Sequence, residues 1–240
     1  MRDRFRAQVR DEIKRVALLQ LAESGPQGLS INAIAKELGV SGPALYRYFA
    51  GRDELLTELI VDAYDDLADA LAAAVEDGSD RAARGRAAQS RAAQGRAAAG
   101  PAAPDDAAVG RVRALARAYR AWALEQPHRY RLLFAPPLPG YDAHSGPLVD
   151  AADRSMTTLV RVVRELPDAD RAADPPKRLS RQLAAWSRRR GVEADPAAGL
   201  RAVALWARLH GLVSLEISGN FESMGLDGGQ LFESELDALV

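Results

Sequence analysis

LSINAIAKELGVSGPALYRYF, Leu29 to Phe49, reads as a helix, a tight turn and a second helix. Ser30 is a natural N-cap, because its hydroxyl can accept from the free N–H groups of a first helical turn. Ile31, Ile34, Ala35 and Leu38 then recur at the 3.6-residue period of one apolar face. Gly39 stands where a left-handed C-cap is wanted, and Val40 is expected to bury at the corner. Ser41 is placed to cap the next helix, Pro43 falls in its first turn, and Leu45 and Phe49 point back inward. Two short helices joined through glycine make a helix-turn-helix, whose second helix can lie in the major groove of DNA.

Asn32, Gly42, Ala44, Tyr46, Arg47 and Tyr48 are not all needed for that packing. Two tyrosines and an arginine on a short second helix supply donors for phosphates and base edges. The alternative role for either tyrosine is to cover the small three-helix core.

The run GVSGPALYRYFAGRDELL, Gly39 to Leu56, resembles the N-terminal signature of the tetracycline-repressor (TetR/AcrR) family of bacterial transcription regulators, and the resemblance extends from about Val9 to Leu59. It implies that Gly42, Pro43, Ala44, Tyr46 and Arg47 face bases. It places Ser30, Tyr48 and Arg52 at phosphates, with Asn32 reaching from the supporting helix. Two departures stand out. Arg52 replaces the commoner lysine and keeps the charge, while Gly42 offers no side chain for base reading.

Outward from this stretch, Phe5, Val9, Ile13, Val16, Ala17, Gln20 and Leu21 form a helical stripe that Ser24-Gly25-Pro26 ends. It supplies the third wall of a small DNA-binding domain, residues 1–52. Arg2, Arg4 and Arg6 precede the stripe, either as a mobile arm along the DNA backbone or as a frayed terminus. From Asp53, the positions of Leu56, Leu59, Ile60, Ala63, Tyr64, Leu67, Ala70 and Leu71 predict a long helix to about Glu76. Such a rod of roughly 24 residues spans about 36 Å and links the DNA-binding end to a second domain, 53–240.

Residues 78–110, GSDRAARGRAAQSRAAQGRAAAGPAAPDDAAVG, form a degenerate Arg-Ala-Ala repeat without large apolar groups, read as a flexible insertion between helices. Helices resume at Val112, Leu115, Ala116, Tyr119 and Trp122, break at Pro127, and continue to Phe134. A proline-rich loop follows. Further helices run from Leu148 to about Leu166 and from Pro176 to Arg190. Asp195 and Pro196 open a long apolar helix, and a last one covers Asp227 to Leu239. The fold class is all-α.

In the long apolar helix Ala204, Ala207, Gly211, Ser214 and Ser218 form a small-residue stripe that admits a second helix closely. Trp206, His210, Val213 and Ile217 form another face, directed into the subunit. One face for the core and one for a partner imply a homodimer, and hence a near-palindromic double-stranded DNA site. WARLHGLVSLEISGNF, Trp206 to Phe221, resembles the Trp-X3-His-Gly element of TetR-type regulators with a WHG C-terminal domain. YRAWALEQPHRYRLLF, Tyr119 to Phe134, resembles the first part of that domain. Those domains bind small effectors and dimerise. Tyr119, Trp122, Tyr130, Phe134 and Met156, together with Trp186, Trp206 and His210, come from several helices that can converge on one cavity for an apolar or aromatic effector. Core packing is the other role open to each.

The function classes this leaves are few. With 48% apolar and 27% charged residues, the chain reads as a folded globular protein. There is no cysteine, and His128, His144 and His210 lack ligand spacing, so neither metal nor cofactor is expected. No nucleotide, hydrolase or zinc-peptidase motif occurs, so no catalytic residue is expected. No stretch of 18 apolar residues and no signal-peptide pattern is present, which predicts a cytoplasmic protein without a membrane partner. Net charge is −1, yet Met1 to Arg52 carries nine Lys/Arg against five Asp/Glu, a basic head on an acidic body. A DNA-binding repressor released by a small effector fits these features. A DNA-binding regulator with no such effector, controlled by a protein partner or by abundance, is the alternative.

Overall fold

The computed structural model describes residues 2–93, 104–134, 140–143, 146–166 and 174–239. Among them are eleven α-helices, one short 3-10 turn and no strand: α1 Arg2–Ser24, the turn Pro26–Gly28, α2 Ile31–Glu37, α3 Gly42–Leu45, α4 Arg52–Ala93, α5 Pro104–Glu125, α6 Pro127–Phe134, α7 Gly146–Val163, α8 Lys177–Arg189, α9 Pro196–Ile217, α10 Asn220–Ser223 and α11 Gly228–Leu239. The all-α expectation holds. The helices group into two compact units, residues 1–66 with 126–152, and residues 67–125 with 153–240. The first therefore contains, beyond the head 1–52, the opening of α4 and the segment around α6.

In the first unit the core is built by one stripe from each helix. Ile13, Val16 and Ala17 of α1, Ile31, Ile34 and Ala35 of α2, and Leu45 and Phe49 around α3 are buried together with Leu55, Leu56 and Leu59 of α4. Leu148 closes the same cluster. Tyr64, Phe134 and Tyr130 extend it as an aromatic chain, with centroids 6.4 Å and 4.9 Å apart. Thr57 and Tyr141 share a hydroxyl hydrogen bond of 2.9 Å.

In the second unit α9 lies against α5, α8 and α11. Asp195 accepts from the Ala198 N–H at 2.7 Å and Pro196 follows, so α9 starts where its cap residues dictate. Its buried side is Ala202, Leu205, Leu209 and Val213. Gly199 faces α8, where a Cβ would make ordinary contact with that of Leu183 at 3.5 Å. Along α5, Val112, Leu115, Ala116, Tyr119 and Trp122 are buried, and Phe232 and Leu236 of α11 are buried as well. A ladder of arginines on α5 runs beside them. Arg113 meets Asp237 at 2.8 Å, Arg117 meets Glu233 at 2.6 Å, and Arg120 meets Glu216 of α9 at 2.5 Å.

Several expectations need correction. Val40 does not bury: it is 45% exposed, because its N–H closes the turn on the Ala35 carbonyl and its side chain is left outside. Phe5 is 64% exposed and stands outside the buried stripe of α1, which begins at Ile13. Arg2, Arg4 and Arg6 are not an arm, because α1 already begins at Arg2. The repeat 78–110 is not an unstructured insertion throughout. Residues 78–93 continue α4 and 104–110 open α5, as the strong helix propensity of alanine and arginine favours, while 94–103 lie outside the described residues. The proline-rich loop lies partly outside them too. α9 turns Leu205 and Leu209 inward with Val213, leaving Trp206, His210 and Ile217 half-buried.

Candidate nucleic-acid interface

The corner between α2 and α3 is a Schellman turn. Gly39, at φ 68°, donates to the Lys36 carbonyl at 3.2 Å, and Val40 donates to the Ala35 carbonyl at 3.0 Å. Ser30 caps α2 through its hydroxyl, which accepts from the Ala33 N–H at 3.3 Å, and its own N–H is held by Gln20 at 3.2 Å. Its hydroxyl proton stays available to an anion.

Ser41 precedes α3 without making a side-chain cap, and Pro43 occupies the first turn in its place. Asn32 is exposed on α2, with Oδ1 directed at Gly42. A Cβ at residue 42 would come within 3.0 Å of that oxygen. Asn32 would have to shift by a few tenths of an ångström to admit a side chain at residue 42, a closeness that spacing alone did not reveal.

α3 is shorter than the sequence predicts. It ends at Leu45, and Tyr46 to Tyr48 form turns. Leu45 and Phe49 are 2% and 1% exposed, which pins this segment to the core from both ends. Pro43, Tyr46 and Arg47 are exposed, Gly42 and Ala44 half-buried. Tyr46, 51% exposed, and Arg47 project as adjacent donors from a backbone that is fixed on either side. Tyr48 is half-buried, covered by the Arg6 guanidinium 6.0 Å from its ring centroid. Arg52, at the start of α4, spends one guanidinium nitrogen on the Pro26 carbonyl at 2.5 Å, which leaves its charge intact and fewer N–H donors for a phosphate.

Two contacts here were not anticipated. Arg6 donates to the Arg47 carbonyl at 3.1 Å. Arg10 donates to the Tyr48 carbonyl, pairs with Glu58 of α4, and stacks 4.2 Å from the Phe49 centroid. Their spacing of four along α1, which puts both on one face, was the available signal.

In the second unit the small-residue stripe of α9 faces away from the core. Ala204, Ala207 and Ser218 are exposed, Gly211 and Ser214 half-buried, and a Cβ at Gly211 would meet no atom within 4 Å. Of the eight aromatic or polar ligand candidates, Tyr130 and Phe134 fall in the first unit and the other six in the second. Tyr119, Trp122 and Tyr130 are buried at 4%, 6% and 3% exposure, whereas Phe134, Met156, Trp186, Trp206 and His210 are half-buried. Trp206 and His210 stack at 5.7 Å, and burial lowers the imidazole pKa below its ordinary value. Trp186, with Arg190 4.2 Å above its ring, lines a groove of about 430 Å³ shared with Gln182, Leu183, Ala185, Arg189 and Val203.

Among the described residues no helix is long and apolar enough to cross a membrane, and no group of three or more His, Asp or Glu is placed to hold a metal.

Comparison with known proteins gives the geometry a family. Residues 13–59 match the bacterial regulatory proteins of the tetR family, and residues 112–239 match the tetracyclin repressor-like C-terminal domain. The HTH-type transcriptional regulator Rv1816 of Mycobacterium tuberculosis is 34% identical over 98% of this chain and 92% of its own length. The crystal structure of SCO4313, a candidate regulatory protein, is 40% identical, covers 100% of this chain and 98% of its own, and superposes with a TM-score of 0.72. PfmR, a TetR-family regulator from Thermus thermophilus, shares the fold at 18% identity, covering 95% of this chain and 96% of its own with a TM-score of 0.53. With both halves matched and the recognition turn in place, the chain belongs to the tetR family of bacterial regulatory proteins, helix-turn-helix transcription regulators that bind DNA.

Proposed function

We propose that this regulator is a cytoplasmic homodimeric repressor that binds a near-palindromic operator and leaves it when a small apolar or aromatic effector binds its helical C-terminal region. The observation that carries the DNA-reading part is the pair Tyr46–Arg47, exposed between the buried anchors Leu45 and Phe49. A fixed backbone with free donors is what base reading requires. Gly42, Pro43 and Ala44 complete the base-facing edge, while Ser30, Tyr48 and Arg52 serve phosphates and Asn32 supports from α2. Residues 1–52 do the reading, and residues 53–240 sense the effector and dimerise.

The exposed stripe from Ala204 to Ser218 supports the dimer, because small residues on an outward face allow two copies of α9 to approach closely. The groove beside Trp186 supports the effector, offering apolar walls with Gln182 and Arg189 as polar anchors. Signal transfer runs along α4, which begins at Arg52 and continues unbroken beyond the first unit. A 100-fold loss of operator affinity requires the effector to prefer the DNA-incompetent state by about 2.7 kcal/mol, and operator must weaken effector binding equally.

A regulator without an effector is favoured by one observation: Tyr119, Trp122 and Tyr130 are packed as core. Selection of DNA from a random pool, then titration of hydrophobic ligands with and without the selected operator, tests both readings. Symmetric half-sites and a reciprocal loss of affinity support the proposal. A ligand bound equally well in both cases refutes the coupling. Tyr46→Ala and Arg47→Ala should each weaken operator binding by about 1–3 kcal/mol with the fold intact.

A further inference from the structure

The segment that aims Tyr46 and Arg47 is held by more than its own helix. α3 has four residues, and after it the Tyr48 and Phe49 N–H groups both return to the Leu45 carbonyl, at 2.8 and 3.1 Å. The carbonyls of Arg47 and Tyr48 are instead received by α1, through Arg6 and Arg10. Arg6 is exposed and makes one such bond. Arg10 is different in kind. Its side chain is 24% exposed, and three separate features of the guanidinium are used at once: one nitrogen on Tyr48, another on Glu58 of α4, and the flat face on Phe49.

We propose that Arg10 is a positioning residue for DNA reading, locking the recognition turn to α1 and α4 together so that the placement of α4 sets the aim of Tyr46 and Arg47. This rests on the reading of that turn as the base-contacting surface. Arginine suits the task because its planar fork can direct two N–H donors at different acceptors while the plane stacks on a ring. A lysine in its place keeps the charge and loses the fork and the stacking face. Glu58 is the matching group on α4. Its carboxylate is the means by which a shift of that helix is felt at the Tyr48 carbonyl, only two residues from Tyr46.

Operator recovered by selection, and a scrambled duplex of equal length, should be titrated with wild type, Arg10→Lys, Glu58→Gln, the double variant, and Tyr46→Ala as a control. A misaimed turn loses base contacts and keeps phosphate attraction. Arg10→Lys should therefore lower the operator-to-scrambled affinity ratio about 10- to 100-fold, the scale of one base contact, and leave scrambled-duplex affinity unchanged. Glu58→Gln should lower the ratio less, and the two changes should be non-additive, as coupled partners are. A general folding defect would instead depress both affinities together.

An unchanged ratio in folded Arg10→Lys, or strict additivity with Glu58→Gln, overturns the assignment. Equal losses on both duplexes do so too, and make Arg10 a structural or phosphate-binding residue. If Arg10→Lys does not fold, Glu58→Gln decides alone: a selective loss supports the role and an unchanged ratio removes it. Should Tyr46→Ala also leave the ratio untouched, the turn is not the reading surface and both assignments fall. Should it lower the ratio while Arg10→Lys does not, only the role of Arg10 falls.

Discussion

Replacing Gly211 by leucine should move two observables in opposite directions. Gly211 lies inside α9, and a Cβ there meets nothing within 4 Å in the single chain. The monomer therefore has room for the new side chain. Removing a glycine from a helix interior stabilises it by about 0.5–1 kcal/mol. In the dimer we propose, the same position sits where two small-residue stripes meet, and overpacking costs typically ~1–3 kcal/mol per site. Two-fold symmetry places the change on both subunits, so dimer formation should weaken by about 2–6 kcal/mol, roughly 30-fold to more than 10⁴-fold. Sedimentation velocity over a concentration series reads the association, and circular dichroism melting of dilute protein reads the monomer. A variant that dissociates while its secondary structure is kept places the stripe in the interface. An unchanged dimer constant would refute the reasoning and move the contact away from Ala204 to Ser218.

Other consequences can be checked with less effort. Ser187 is 1% exposed and among the described residues its hydroxyl has no hydrogen-bond partner, so Ser187→Ala should raise stability by about 1–2 kcal/mol, seen as a higher urea midpoint with unchanged slope. His210, whose pKa burial depresses, binds a proton less readily folded than unfolded. Stability should then be level above its ordinary value of 6.5 and fall as the pH drops through that value, the loss ending below the folded pKa. Melting between pH 7.5 and 5 should show that slope, and His210→Gln should flatten it; equal slopes would assign the effect to other groups.

The parts of this fold that local chemistry decides were legible in the sequence. Gly39 marks the corner of the helix-turn-helix, and Asp195-Pro196 marks the start of α9, because caps and turns act within a few residues. The spacing along α1 could mark Arg10 as sharing a face with Arg6, but its partners were not legible, since they lie 38 and 48 residues away and no periodicity records such a pairing. Tyr119 and Trp122 share the spacing of a core face and of a pocket wall, and only the packed chain separates the two. The Arg-Ala repeat misled for another reason. Its glycines and missing apolar face argued for a linker, while alanine's backbone preference carried α4 to Ala93 regardless.

The arginine ladder on α5 bears on where α11 sits along its neighbour more than on how tightly it is held. Exposed pairs of this kind add little to stability. Arg113 and Arg117 meet Asp237 and Glu233 in antiparallel order, while Arg120 is engaged by Glu216 of a different helix. An α11 displaced by one helical turn, about 5.4 Å, would keep one of its two pairs and strand the other guanidinium. Phe232 and Leu236, both buried, would also have to leave the places they fill. Charge acts here as a vernier, adding to the packing of α11 a preference for one setting.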